Sequence, residues 1–196
     1  MNLIFGRLVE GGSIDLNQKV KDYLPEIGSG YAEATIQQVL DMDVVNNFDE
    51  NYDASYEHDP RETAPVGYNR EEIALGWRLP PEGERQFSSR EFAASLVSNN
   101  VINPDGYTEY RSPNTDVLGW VAEKVTGRSP IELLIEVIEA AGIEGTYHIG
   151  LDCDGVPQFA GGGCMSARDM ARYGLLFARN GQGVNGVNVG SARFIQ

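Results

Sequence analysis

The sequence is short of the residues that many protein chemistries require. Among 196 residues there are two cysteines and two histidines, and lysine stands only at Lys19, Lys21 and Lys124. Cys153 and Cys164 cannot build a disulfide framework. They leave either two reduced thiols, one of them buried, or a single bridge, with the cytoplasm as the expected compartment. A zinc centre from these cysteines with His148 or Asp152 lacks the close ligand pairs that zinc sites use, and no metal or organic cofactor is expected. No apolar run is long enough to cross a bilayer. The opening, Met1 to Arg7, has neither the charged start nor the small-residue cleavage site of a secretory signal. Basic residues are also scarce, 15 against 29 acidic, for a net charge of -14. With no basic cluster, such a surface repels phosphate backbones, so nucleic acid is excluded as a partner. There is no Gly-x-Ser-x-Gly elbow, no phosphate loop and no dinucleotide fingerprint, and Gly161-Gly162-Gly163 does not open a helix with the required spacing. His58 and His148 are the available bases for a Ser-His-Asp triad, and neither sits in a motif.

The length suits one domain with a real core, and 41% apolar residues argue against disorder. Leu3, Ile4, Leu8 and Val9 follow helical spacing up to Gly11-Gly12, so the chain opens within a helix. An extended loop is expected over 13–25, then a short helix over 35–42 with Ile36, Val39 and Leu40 on one face. The polar stretch 43–84, with four prolines, reads as a long irregular excursion, and such loops are usually functional. Ser88-x-x-Glu91 caps a helix expected to run through Asn99, with Phe92, Leu96 and Val97 inward. Ser112-Pro113 opens a helix ending at Thr126-Gly127, and Ser129-Pro130-x-Glu132 one ending at Gly142. Ser166-x-x-Asp169 starts another through Ala178. A strand pair is expected over 146–153 and 156–160 around Asp154-Gly155. One hairpin among several helices makes an incomplete sheet, as in the helical part of a larger α/β protein.

The informative stretch is Tyr110-Arg111-Ser112-Pro113-Asn114-Thr115-Asp116. A tyrosine just before a helix N-terminus lies near free backbone amides that favour negative charge. A phenol ionises only near pH ~10, so a tyrosine base needs positive charges or helix ends beside it. On spacing alone, simple packing of Tyr110 against the helix is the favoured explanation. By the same bland logic Arg168 and Asp169 are a helix cap with a local ion pair, Asp49 and Glu50 are not a glycosidase pair, and Trp77 and Trp120 are core or cleft wall.

Residues 110–127 resemble the Tyr-x-[Ser/Asn] motif and following helix of the β-lactamase-related serine hydrolases, the family of class C β-lactamases, penicillin-binding DD-peptidases and esterases. The 6-aminohexanoate-dimer hydrolase branch is the nearest in pattern. Three further segments agree in order. Leu8-Val9-Glu10-Gly11-Gly12-Ser13-Ile14-Asp15-Leu16 with Tyr23-Leu24-Pro25-Glu26 is similar to the stretch after the nucleophile helix. Leu40-Asp41-Met42 with Phe48-Asp49-Glu50-Asn51-Tyr52 resembles the loop lining the substrate cleft. Phe159-Ala160-Gly161-Gly162-Gly163 with Ala167-Arg168-Asp169-Met170-Ala171-Arg172 resembles the family's Gly-Gly and Arg-Asp-x-Ala-Arg stretch.

The resemblance implies an α/β fold of the β-lactamase/transpeptidase type, represented mostly by its helical region with the sheet incomplete. It implies attack by a serine, activated by a lysine three residues on, at an ester, amide or lactam carbonyl of a small molecule. Tyr110 would exchange protons with serine and leaving group, Ser112 would supply a supporting hydrogen bond, and Tyr52, Glu50, Gly161 and Gly162 would face substrate. The sequence departs from the pattern at several points. Leu16, Gln18 and Val121 precede the three lysines by three residues, so Ser-x-x-Lys is absent and is expected just before Met1. The strand bearing the Lys-Thr-Gly or His-Gly motif is expected beyond Gln196. Asp43-Val44-Val45 stands where many members have Thr-Ser-Gly, and Gly161 where dimer hydrolases carry Asn, which weakens the expectation of their type of amide hydrolysis. Two hypotheses follow: a partial chain of a catalytic serine hydrolase, inactive alone, or a non-catalytic relative that binds or assembles. With the central strands lacking, the helices near Leu3 to Leu8 and Leu133 to Ile138 are expected to expose apolar surface and to favour aggregation.

Overall fold

The computed structural model describes residues 1–52, 66–98 and 108–195. Helix α1 (Asn2–Glu10) turns Leu3, Ile4, Phe5 and Leu8 inward. The expectation that this helix leaves apolar surface uncovered is corrected. The short C-terminal helix α10 (Ala192–Ile195) covers it, with Phe194 against Gly6 so closely that a Cβ there would stand 2.8 Å from the Phe194 Cβ. The stretch expected as an extended loop carries a four-residue helix, α2 (Val20–Tyr23), with Val20 fully buried. After α3 (Ser29–Ala32), α4 (Ile36–Leu40) follows the expected spacing. Thr35 caps it by accepting from Gln38 N–H at 3.2 Å, which satisfies one of the open helix-end amides.

The excursion over 43–84 is less irregular than its composition suggests. Strands β1 (Phe48–Asp49) and β2 (Val66–Gly67) pair in parallel, and helix α5 (Tyr68–Ala74) follows at once. His58, Pro60 and Pro65 lie outside the described residues. Helix α6 (Ser89–Ser95) has the expected Ser88–Glu91 capping box, but Leu96 already adopts extended backbone. The helix therefore stops short of Asn99, which lies outside the described residues, and Val97 is exposed rather than inward.

Three long helices match their caps. Helix α7 (Pro113–Thr126) ends on Gly127 at φ 66, α8 (Pro130–Ala141) on Gly142 at φ 70, and α9 (Ala167–Ala178) begins at Ser166. Glycine takes a left-handed end without the Cβ clash other residues meet. The core gathers Phe5, Leu24, Tyr31, Leu96, Val121 and Leu133 from six separate segments. On α8, Leu133 and Val137 are buried, while Ile131 and Ile135 remain exposed, so the expectation of uncovered surface holds for that helix. A groove of about 290 Å³, lined by Ile4, Val137, Ile138, Ile149 and Phe159 among others, runs between α1, α8 and the loops after it.

The expected hairpin is reduced to two antiparallel bridges, Leu151 with Pro157 and His148 with Cys164. Asp152 explains why the turn closes without strands. Its carboxylate, 6% exposed, accepts from Asp154 N–H, Val156 N–H, Ser89 N–H and Ser89 O–H at 2.7–3.0 Å. Both cysteines are exposed and unbridged, so the expectation of a buried thiol is corrected. Among the described residues no helix is long and apolar enough to cross a membrane.

Candidate functional site

Segment 109–112 is fastened along segment 42–50, residue by residue. Glu109 N–H donates to the Met42 carbonyl at 3.1 Å. The buried Arg111 guanidinium donates to the carbonyl oxygens of Val44, at 3.0 Å, and of Phe48, and pairs with Glu109 at 3.0 Å. Arginine's planar fork suits several acceptors at once. Ser112 donates both its N–H and its O–H to the Glu50 carboxylate, each at 2.5 Å. That places a carboxylate on the N-terminal turn of a 14-residue helix, where helix-end amides stabilise negative charge. On the other side of the turn, buried Asn114 accepts from Tyr31 O–H at 2.8 Å. The residues flanking Tyr110 are thus held from two sides, while its own side chain is 53% exposed.

Glu50 also accepts from Tyr52 O–H at 2.5 Å, and the Tyr52 ring meets Tyr68 edge-on at 4.7 Å between centroids. Burial first, then the hydrogen bond and charge of Glu50, raise the Tyr52 phenol far above its ordinary value, with Tyr110 and Tyr68 adding to the effect. Tyr68 is pushed up to about 12, mainly by burial, then by Glu71, Glu72, Glu50 and Tyr110. Of the residues singled out from sequence, the structure gathers Tyr110, Ser112, Glu50 and Tyr52 into one cluster. Ser112's hydroxyl is committed to Glu50.

Gly161 and Gly162 belong to a neighbouring ribbon that α7 also holds. Ser112, Asp116 and Gly119 lie at i, i+4 and i+7, one stripe of the helix. Asp116 accepts from Ala160 N–H at 3.1 Å. A Cβ on Gly119 would meet the Phe159 ring at 2.6 Å, so the ring lies on bare backbone. Gln158, buried, donates to the Leu75 carbonyl and accepts from Trp77 Nε1 at 3.0 Å. Trp77 is 48% exposed and lies over Gly161 and Gly162, 3.4–3.5 Å from where their Cβ atoms would be. It is wall, not core. Trp120 is buried, with the Arg90 guanidinium over its ring.

Spacing did not reveal Tyr68, Glu71, Gln158 or Asp116. The Glu71 side chain on α5 is 1% exposed, and among the described residues neither carboxyl oxygen has a hydrogen-bond partner. Burial holds its carboxyl well above the usual range, with the charges of Glu50, Asp116 and Glu72 acting in the same direction. Asp116 offered the one legible signal, its position one turn beyond Ser112. Ser166 caps α9 by accepting from Asp169 N–H at 3.1 Å and donates its hydroxyl to the Asp169 carboxylate, which pairs with Arg172 at 2.8 Å, while Arg168 is exposed. The local pair expected at that helix start is thus made with a different arginine.

The β-lactamase family model matches residues 2–189. The chain belongs to that family. A 6-aminohexanoate-dimer hydrolase from Paenarthrobacter ureafaciens is 32% identical over 180 residues, 91% of this chain and 43% of that protein. A Bacillus anthracis structure assigned as a 6-aminohexanoate-dimer hydrolase superposes with a TM-score of 0.76 at 25% identity, covering 99% of this chain and 48% of that one. A penicillin-binding protein from Bacillus halodurans, at 18% identity and TM-score 0.63, shares the fold. The fold is the β-lactamase/transpeptidase type, here helical with a two-strand sheet. This β-lactamase family chain spans about half the length of these two hydrolase relatives.

Proposed function

We propose that these 196 residues form the tyrosine-bearing part of a serine hydrolase centre acting on an ester, amide or lactam carbonyl of a small molecule through an acyl-enzyme. The observation that carries this reading is the exposed Tyr110 phenol between backbone-anchored neighbours, inside the segment matched to the β-lactamase family. In the proposed cycle a serine Oγ forms a bond to the carbonyl carbon as Tyr110 takes its proton. Tyr110 then returns the proton to the leaving oxygen or nitrogen as that bond breaks. Water attacks the acyl-enzyme with the same proton route in reverse. Glu50 fixes Ser112 and Tyr52 beside this phenol, and Gly161 and Gly162 belong to the neighbouring ribbon held by α7.

An unaided phenol ionises only near pH ~10. Glu50 and neighbouring phenols favour the protonated form of Tyr52 and Tyr68. A proton-accepting tyrosine needs a cation beside it, and the Arg111 guanidinium is already paired with Glu109. The lysine of a Ser-x-x-Lys pair is such a cation, and none of the three lysines follows a serine at that spacing. The 196 residues alone are therefore expected to give no turnover of p-nitrophenyl acetate. Placed in the corresponding stretch of the Paenarthrobacter ureafaciens hydrolase, they are expected to support ester hydrolysis. Turnover by the 196-residue chain that survives Ser112→Ala but not Tyr110→Phe would overturn the assignment of the nucleophile.

A further inference from the structure

Beyond the tyrosine cluster, one carboxylate joins α7 to the glycine ribbon. We propose that Asp116 is a positioning residue that holds the Phe159–Gly162 ribbon against α7, and that its protonation releases the ribbon. The inference deepens the reading above and rests on it only for the ribbon's role as a cleft wall.

Several attachments hold the ribbon, among them the Gln158 N–H on the Gly150 carbonyl at 3.0 Å. Phe159 rests on the Gly119 backbone, where any side chain would collide with the ring. Gln158 binds Leu75 and Trp77. Ala160, the last residue before the glycines, is held through its N–H on Asp116 Oδ1. Gly161 N–H turns back to the Gln158 carbonyl at 3.3 Å, and Gly162 adopts φ 78, accessible to glycine at little cost. The hydrogen bond donated by Ala160 N–H to the Asp116 carboxylate thus links the ribbon's backbone directly to the helix that follows Ser112. Charge-assisted bonds of this type are roughly twice as strong as neutral ones, so losing the charge weakens the link without removing the oxygen.

The surroundings make that charge labile. Titratable groups from three directions face Asp116: Glu71 on α5, Tyr31 on α3 and Asp152 in the 150–157 turn. Each is neutral or negative. Asp152 accepts four hydrogen bonds, and Glu71 is biased towards the neutral acid by burial. Burial pushes the Asp116 carboxyl up to about 7, with Asp152 adding to the rise and the amides of Ala160 and Phe159 opposing it. The hold is expected to be full above neutrality and to slacken below it.

The test is a proton–nitrogen NMR titration of the full chain from about pH 5 to pH 9, which needs no catalytic turnover and so stands or falls apart from the role of Tyr110. The amides of Ala160, Gly161 and Gly162 and the Trp77 indole N–H are expected to move together between two plateaus, with one midpoint near pH 7. In Asp116→Asn, which keeps an acceptor oxygen, that shared titration is expected to vanish while other resonances stay in place. Flat Ala160 shifts in the native chain, or an unchanged titration in Asp116→Asn, would overturn the proposal. An Ala160 titration with motionless Gly161, Gly162 and Trp77 signals would also overturn it, because the carboxylate would then hold one amide and not the ribbon.

Discussion

Replacing Glu71 with methionine is expected to stabilise the fold, by an amount that grows with pH. Glu71 buries both carboxyl oxygens without a hydrogen-bond partner among the described residues, and an unsatisfied buried polar group costs about 1–3 kcal/mol. Methionine has nearly the same length and helix propensity and adaptable packing, so most of that cost should be recovered even where the carboxyl is neutral. The second part is linkage. The folded carboxyl is raised above its ordinary 4.5, so the native state keeps a proton that the unfolded chain gives up. Stability contributed by this group is present below pH 4.5 and is lost as pH rises towards the folded value. Inside that window each pH unit removes about 1.4 kcal/mol from the native chain and nothing from Glu71→Met. Urea unfolding of both proteins at intervals between about pH 5 and pH 8 measures the difference. Glu71→Gln should show the pH-dependent part without the constant gain, since its amide is also unpartnered. A native-to-methionine difference that stays flat across this range would refute the reasoning, as would a methionine variant less stable at every pH.

Two further perturbations test the site and the scaffold around it. Glu50→Gln removes both the charge and the ionised acceptor that hold Tyr52 up, so the Tyr52 phenol should titrate at lower pH, as followed by carbon NMR of labelled tyrosine; an unmoved titration would contradict the Ser112–Glu50–Tyr52 arrangement. Asp152→Ala strands four donors where α6 meets the 152–156 turn, and the urea midpoint should report a loss of about 3 kcal/mol; a loss below about 1 kcal/mol would mean the turn does not depend on that carboxylate.

What could be read from the sequence depended on how local the cause was. Helices α7, α8 and α9 were legible because their limits are set by neighbouring residues: Ser112-Pro113 and Gly127, Ser129 to Glu132 and Gly142, Ser166 and Asp169. Helix α5 was hidden because Asn69, Arg70, Glu71 and Glu72 read as a solvated run, whereas Asn69 and Glu71 are buried. The cover that α10 gives α1 joins residues almost a chain length apart, which no local pattern reports. The hairpin falls short of strands because its backbone bonds are confined to the turn and isolated bridges, with side-chain bonds to Asp152 adding to the closure. In the candidate site, Tyr110 and Ser112 came from family pattern and Glu50 from the matching cleft loop. The joining of Ser112 to Glu50 across 62 residues, through two bonds on one carboxylate, is a tertiary contact that no local pattern reports.

The central claim is that Tyr110 carries the proton in an acyl-transfer centre. The most direct test is kcat/KM for p-nitrophenyl acetate in the chimera that carries residues 1–196 within the Paenarthrobacter ureafaciens hydrolase, with and without Tyr110→Phe. A proton-transfer residue contributes about 10²–10⁴-fold. The phenylalanine variant, folded with an unchanged melting curve, is therefore expected to lose at least about 10²-fold. Full activity in that variant would contradict the account.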